Sequence, residues 1–147
     1  MGAILFLIGG GVYALMETFW RGYTHWTMFL LGGACFVIMG LLNEYKISWH
    51  WCLLRQSVVS ACVITVFEFI TGYIVNIRLG WQVWDYSDLP FNLYGQICLY
   101  YFLLWILLSA VGIVFDDWIR YIVYVNVKKW SSWTEIKKRE RPHYKFI

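Results

Sequence analysis

The sequence predicts an all-α polytopic membrane protein with four transmembrane helices. The chain of 147 residues is 61% hydrophobic and only 14% charged, whereas about a quarter of the residues in soluble domains carry a charge. It also contains four long apolar runs, and a helix of about 20 residues can cross the hydrocarbon core of a bilayer. The composition therefore leaves no room for a soluble catalytic module and predicts contact with a lipid bilayer.

The apolar runs set the expected helix positions. We expect helices at about residues 2–20, 26–42, 57–76 and 97–115, which together form one transmembrane domain over residues 1–115. Residues 116–147 are rich in lysine, arginine and tryptophan, and this pattern predicts a basic amphipathic tail.

Small residues cluster on the first two predicted helices. The first carries Gly9, Gly10 and Gly11, and the second carries Gly32 and Gly33. Small residues let the backbones of neighbouring helices approach closely within a membrane. We therefore expect these glycines to lie at helix contacts.

The distribution of positive charge predicts the orientation. Cytoplasmic segments of membrane proteins carry an excess of lysine and arginine. The short loops are nearly balanced, but the tail after Arg120 holds seven further basic residues. We therefore expect both termini on the cytoplasmic side of the cell membrane and the loop over residues 77–95 on the extracytoplasmic side.

One carboxylate lies inside an apolar run of the third predicted helix. Glu68, Thr71, Gly72 and Asn76 are spaced so that they share one helical face. An ionisable residue within a membrane usually faces the bundle interior, a partner or a water-filled path. Glu68, Thr71 and Asn76 are therefore candidate ligand-binding residues, although Glu68 could equally hold two helices together by hydrogen bonding.

The loop after this helix is both polar and aromatic. Asp88 and Pro90 indicate a turn, and Gly95 permits a positive φ. These features predict a structured lid over the bundle, which could re-enter the membrane. Its candidate ligand-binding residues are Trp84, Asp85, Tyr86 and Asn92, with Phe91 and Tyr94 as further aromatics. A packed interfacial loop without a ligand is the alternative.

A second polar group is expected at the outer end of the first helix. Glu17 and Arg21 are spaced to pair across one helical turn, and His25 follows among interfacial aromatics. Both the first and third helices end with a late glutamate followed by a glycine. This echo indicates two tandem helical hairpins in which Glu17 and Glu68 could face one cavity, with Glu17, Arg21 and His25 as further candidate ligand-binding residues.

Several kinds of site lack a signal in the sequence. The four cysteines show no C-x-x-C spacing, so we expect small buried side chains rather than a metal site or a disulfide. We expect neither a metal nor another cofactor, and basic residues beside a membrane favour topology over nucleic-acid binding. The sequence contains no G-x-x-x-x-G-K-[ST] phosphate loop, so any ATPase must be a separate chain.

Three stretches resemble a known family. They are residues 17–26, the Glu-Phe-Ile-Thr-Gly run at residues 68–72, and residues 84–99, with Trp-Asp-Tyr-Ser and Asn-Leu-Tyr-Gly-Gln as the most specific parts. They resemble the small bacterial membrane proteins of the putative ABC-transporter type IV family. The resemblance covers most of the chain and implies a permease-like membrane subunit of a transporter.

Three functions remain open at this point. The first is a transport-related subunit, in a homodimer or larger membrane complex, which recognises a small solute at an outward-facing polar site. The second is a small membrane enzyme acting on a lipid or a lipid-linked substrate, with Glu68, Asp85 or His25 as acid and base. The third is an accessory or sensory protein that presents its basic tail to a partner.

Overall fold

The described part of the chain folds into four helices with a small hairpin between the third and the fourth. The computed structural model describes residues 2–44 and 51–130, with side chains described for residues 2–42 and 51–123. In chain order the elements are α1 (Gly2–Arg21), α2 (Trp26–Glu44), α3 (Leu53–Gly72), a π-helical turn (Tyr73–Arg78), β1 (Asn92–Leu93), β2 (Ile97–Cys98) and α4 (Leu99–Trp130).

Three of the helical segments are long and apolar enough to cross a membrane. They are Gly2–Arg21, Leu53–Arg78 and Leu99–Val123. The apolar part of α2, Trp26–Leu42, is shorter. The outer surface of the bundle is also apolar, since Leu15 on α1 and Leu107 on α4 are each more than 60% exposed. Together these features confirm a multi-pass membrane protein.

The helices pack as two antiparallel hairpins. The most extensive contacts are between α1 and α2 and between α3 and α4, and α2 also touches both α3 and α4. The core therefore lies around α2 and contains Met28, Leu31, Phe36, Met39 and Ile64.

The predicted glycine contacts between α1 and α2 are confirmed at four positions. A Cβ added at Gly9 would collide with Phe36, and one at Gly10 would lie 2.6 Å from the backbone oxygen of Phe29. A Cβ added at Gly32 would likewise collide with Tyr13, and one added at Gly33 would collide with Phe6. Each glycine therefore receives an aromatic residue of the facing helix, whereas a Cβ at Gly11 would meet open space.

Two helices are longer than predicted because their polar residues are accommodated locally. α3 begins at Leu53 rather than at residue 57, since Arg55 lies over the ring of Trp51 at 4.4 Å and Gln56 donates to the Trp51 carbonyl. α4 continues past the expected end at residue 115, where the buried Asp116 accepts a hydrogen bond of 2.8 Å from Arg120. The part of the predicted tail after residue 130 lies outside the described residues.

The loop that follows the π-helical turn is non-helical, as predicted, and tightly folded. β1 and β2 pair antiparallel, with Asn92 opposite Cys98. Leu89 N donates to the Tyr86 carbonyl, which closes the expected turn before Pro90. Gly95 has a φ of +66°, and a Cβ there would lie 2.6 Å from an Asp85 carboxylate oxygen, so this position requires glycine.

Candidate functional site

Glu68 lies inside the bundle, on the buried stripe of α3. The stripe runs through Ser60, Ala61, Ile64, Glu68 and Gly72 at helical spacing, and Glu68 is only 1% exposed. One carboxylate oxygen accepts a hydrogen bond of 2.8 Å from Trp105 Nε1, and the other accepts one of 3.2 Å from the Tyr86 hydroxyl. Each oxygen of the Glu68 side chain therefore has one hydrogen-bond donor.

The two donors come from different elements. Trp105 lies on α4, and Tyr86 lies in the loop. The backbone N–H of Tyr86 donates to the Gly95 carbonyl at 2.7 Å. The Tyr86 ring stacks on Tyr101 with centroids 4.4 Å apart. Burial is the main cause that raises the pKa of Tyr86, and the nearby Glu68 carboxylate raises it further. The Tyr86 hydroxyl therefore remains a donor at neutral pH.

A pocket of about 160 Å³ extends from Glu68 along the bundle axis. Tyr13 and Trp105 lie beside Glu68 at the end nearest the loop, and their rings stack with centroids 6.0 Å apart. The rest of the wall is almost wholly aliphatic, aromatic or sulphur-containing. It includes Ile8, Val12, Met16, Leu31, Cys35, Phe36, Met39, Ile64, Leu108, Val111 and Phe115.

The rim of the pocket lies between α1 and α4. Val12 and Met16 form one side of it and Val111 and Phe115 the other, and all four are exposed. α1 and α4 share few contacts, since their main packing partners are α2 and α3 respectively. The pocket therefore opens sideways, onto the apolar surface of the helices.

Ser109 adds a second polar atom to this pocket. Its side chain is fully buried on α4, one turn after Trp105. Among the described residues, the Ser109 hydroxyl has no hydrogen-bond partner. The pocket wall therefore contains a second polar side chain besides Glu68.

The predicted group at the end of α1 is a separate cluster. Arg21 donates to Glu17 at 2.9 Å, which confirms the expected ion pair, and it also donates to the Tyr23 hydroxyl and the Val83 carbonyl. Thr24 donates to the other Glu17 oxygen. Glu17 does not line the pocket around Glu68, so the expected shared cavity is not found there.

Asn76 and Trp84 hold the loop against α3. Asn76 donates to Gln96 Oε1 at 2.7 Å and accepts from Val83 N at 2.7 Å. Trp84 is buried beside Gly72, and its indole N–H donates to the Gln96 carbonyl at 3.0 Å. The polar atoms of these two side chains are therefore engaged within the loop, and Gln96, which connects them, was not among the predicted site residues.

The remaining predicted residues lie outside the pocket. Asp85 accepts from the hydroxyl and backbone N–H of Ser87, and these hydrogen bonds lower the pKa of Asp85. Asn92 donates to the Ser87 and Leu89 carbonyls, and Thr71 is half-buried on α3. His25 is hydrogen-bonded to Thr27 at 2.8 Å and packs on Trp26 and Trp81. Phe91 and Tyr94, predicted as contact aromatics, are highly exposed.

The enzyme hypothesis considered Glu68, Asp85 or His25 as acid and base. His25 and Glu68 have different hydrogen-bond partners, Thr27 for the first and Trp105 and Tyr86 for the second. Within residues 2–44 and 51–130, no group of three histidine, cysteine or acidic residues could hold a metal ion. All four cysteines are free, with Cys35 and Cys98 buried as expected. Cys62 is instead exposed on the outer face of α3.

The sequence did not predict three residues of the pocket wall, which are Tyr13, Trp105 and Ser109. They look like ordinary residues of apolar helices, because aromatics are common there and a single serine is tolerated. One signal is available in retrospect: Trp105, Ser109 and Gly112 follow one another at helical spacing on a single face of α4.

The comparisons with known proteins identify a family. No curated protein and no solved structure matches the chain. One family model, described as Putative ABC-transporter type IV, matches residues 2–136. This match covers nearly the whole chain and confirms the resemblance drawn from its motifs. The protein therefore belongs to the Putative ABC-transporter type IV family.

Proposed function

We propose that this protein is a transport-related membrane subunit that recognises a small ligand in the pocket around Glu68. The observation that carries the proposal is the buried carboxylate at the wall of an apolar pocket between the helices. Burying a carboxylate is costly unless it is paired or hydrogen-bonded, and ionisable residues within a membrane usually face a partner or a pathway. A structural role alone would not need a pocket beside that charge.

The character of the pocket changes the expected ligand. The sequence predicted an outward-facing polar site, but the wall around Glu68 is almost entirely apolar. Apolar pockets with a few placed polar groups bind apolar molecules and use the polar groups for orientation. We therefore propose a small lipophilic ligand that reaches the pocket sideways, between α1 and α4.

The proposed topology has four spans. α2 is 19 residues long, and at 1.5 Å per residue it extends over about 28 Å, close to the thickness of the hydrocarbon core. With four spans, the basic tail supports cytoplasmic termini and an extracytoplasmic loop over residues 77–95. Arg21 and Tyr86 would then lie on the outer side.

The proposed complex contains further chains. The family name indicates an ABC-transporter context, and this sequence contains no phosphate-loop motif for binding ATP. A bundle of four helices is also small for a protein that forms a complete solute path by itself. We propose that the protein acts as a homodimer or in a larger complex with a separate ATPase chain.

The partner is tested by purification. Tagged protein isolated from its native membranes in mild detergent should bring down an ATPase chain, and the complex should hydrolyse ATP. A matched preparation from cells that carry the untagged protein provides the background. ATP hydrolysis no higher than this background would contradict the transport-related assignment.

The pocket is tested by closing its rim. Val111 and Leu107 are one turn apart on α4 and are 61% and 64% exposed, but only Val111 lines the pocket. Val111→Trp should reduce binding of the neutral probe neopentylbenzene to protein in lipid nanodiscs, and Leu107→Trp should not. Equal binding by the two variants would contradict this pocket as the recognition site.

A further inference from the structure

We propose that the ligand of the Glu68 pocket is an organic cation: an apolar body that carries one positively charged nitrogen. The proposal rests on the pocket being the recognition site, as proposed above, and it specifies the chemistry recognised there. It is carried by the charge of the site, the aromatic rings beside that charge, and the size and opening of the pocket.

The charge of Glu68 has no cationic partner among the described side chains. Arg21 pairs with Glu17, and Arg120 pairs with Asp116. Arg55 and Arg78 lie over the rings of Trp51 and Tyr73. The two donors to Glu68, Trp105 and Tyr86, are neutral groups, so they orient the carboxylate without compensating its charge. A cationic ligand would provide that compensation.

Aromatic rings line the pocket beside Glu68 and further along its wall. Tyr13 and Trp105 line the pocket next to Glu68, and their rings are inclined by only 21° to each other. Phe36 and Phe115 line the wall further from Glu68, and their ring centroids are 6.2 Å apart. The faces of aromatic rings attract cations, most strongly when water is excluded, and aromatic cages recognise quaternary ammonium groups in this way.

The dimensions favour a small cation. The pocket volume of about 160 Å³ is similar to that of an engineered apolar cavity of about 150 Å³ in another protein, which binds benzene. A body of one ring or a short alkyl group would therefore fit. A longer alkyl chain could leave through the rim between Val12 and Val111, where the surface is apolar.

The unpaired Ser109 hydroxyl suits the same ligand class. It lies on the pocket wall four residues after Trp105, on the same helix. A hydroxyl oxygen can accept a hydrogen bond from an ammonium N–H. A protonated amine in the pocket would therefore pair with Glu68 and, after a rotation of the buried Ser109 side chain, donate to its hydroxyl oxygen.

The decisive experiment compares two probes of the same shape. Benzyltrimethylammonium carries a positive nitrogen, and neopentylbenzene has a carbon atom in its place. Binding of each is measured by equilibrium dialysis against protein in nanodiscs of zwitterionic lipid. We expect the cation to bind about tenfold or more tightly than the neutral probe after correction for partitioning into empty nanodiscs.

Two variants assign the effect to Glu68. Glu68→Gln keeps the size of the side chain and should reduce the affinity for the cation to that for the neutral probe, whose own binding shows that the variant is folded. Asp88→Asn removes an exposed loop charge and should leave both affinities unchanged.

The outcomes separate this inference from the proposed function. Equal affinity for the two probes, or undiminished cation binding by Glu68→Gln, would overturn the cation assignment. Sensitivity of neopentylbenzene binding to Val111→Trp would still support the pocket in that case. Failure of both probes to bind folded wild-type protein would overturn the cation assignment as well, and the ATP hydrolysis test would then decide the transport-related assignment by itself.

Discussion

Glu68 is held by one donor from a helix and one from a loop. Trp105 fixes one oxygen from α4, and Tyr86 fixes the other from the segment between the π-helical turn and β1. Hydrogen bonds to a charged group contribute about 1.5–3 kcal/mol each to stability. The carboxylate therefore links the loop to the bundle as well as facing the pocket.

The Tyr86 hydrogen bond can be tested by removing one hydroxyl. We expect Tyr86→Phe to lower the free energy of unfolding by roughly 1.5–3 kcal/mol, measured by denaturant titration in mixed micelles. Tyr94→Phe is the matched control, because Tyr94 is 74% exposed. The effect of Tyr86→Phe should shrink in a Glu68→Gln background, and an equal effect of the two tyrosine substitutions would contradict the assigned contact.

Asp85 provides a pH-dependent prediction outside the membrane spans. Its pKa is lowered by hydrogen bonds from the Ser87 hydroxyl and backbone, so Ser87→Ala should raise it towards the ordinary value. Because the folded-state pKa is the lower one, the loop gains stability above the pKa of unfolded Asp85 and loses it as the pH falls. A carboxyl carbon NMR titration measures the shift, and an unchanged Asp85 pKa in Ser87→Ala would contradict the account.

At this scale the sequence identified charges better than their partners. Glu68 stood out as a carboxylate in an apolar run, and the Glu17–Arg21 pair followed from its spacing. Trp105 did not stand out and the contact of Gln96 with Asn76 was not predicted, because both depend on which helix and which loop meet. Those contacts join residues that are 37 and 20 positions apart in the chain.

Among the elements, the hairpin of α1 and α2 shows how small residues determine packing. Gly10 is adjacent to the Phe29 backbone, whereas its neighbour Gly11 faces open space. The two positions share a helix and a residue type but differ in their surroundings. They therefore form a matched pair for substitution.

Alanine at these two positions should have different effects on stability. Gly10→Ala should destabilise the protein by roughly 1–3 kcal/mol, because the new methyl group meets backbone that cannot move without shifting α2. Gly11→Ala should be neutral or stabilising by up to about 1 kcal/mol, since alanine favours a helix. Unfolding curves followed by circular dichroism measure both, and equal effects would contradict the packing of α1 on α2.

The positions of the helices could be predicted from the sequence better than the residues at which they begin and end. The apolar runs located all four helices, but the polar residues at 55 and 116 suggested ends that the structure does not have. Arg55 is accommodated by Trp51 and Asp116 by Arg120. The helix predicted over residues 57–76 is π-helical from Tyr73 onward, because the apolar pattern does not distinguish a π-helix from an α-helix.

For the molecule as a whole, the central feature is the gap between α1 and α4. The two hairpins meet mainly through α2, which leaves α1 and α4 as the two sides of the pocket rim. Membrane character could be predicted from composition, and the family from motifs. The pocket could not, because it arises from where four helices fail to fill space rather than from any one stretch of sequence.

The most direct test of the pocket as a ligand site is crystallographic. Crystals grown with 4-bromobenzyltrimethylammonium can be measured at the bromine absorption edge. We expect an anomalous bromine peak between α1 and α4, with the ammonium group beside Glu68, Tyr13 and Trp105. A pocket without bromine, at a concentration that saturates binding in solution, would contradict the account.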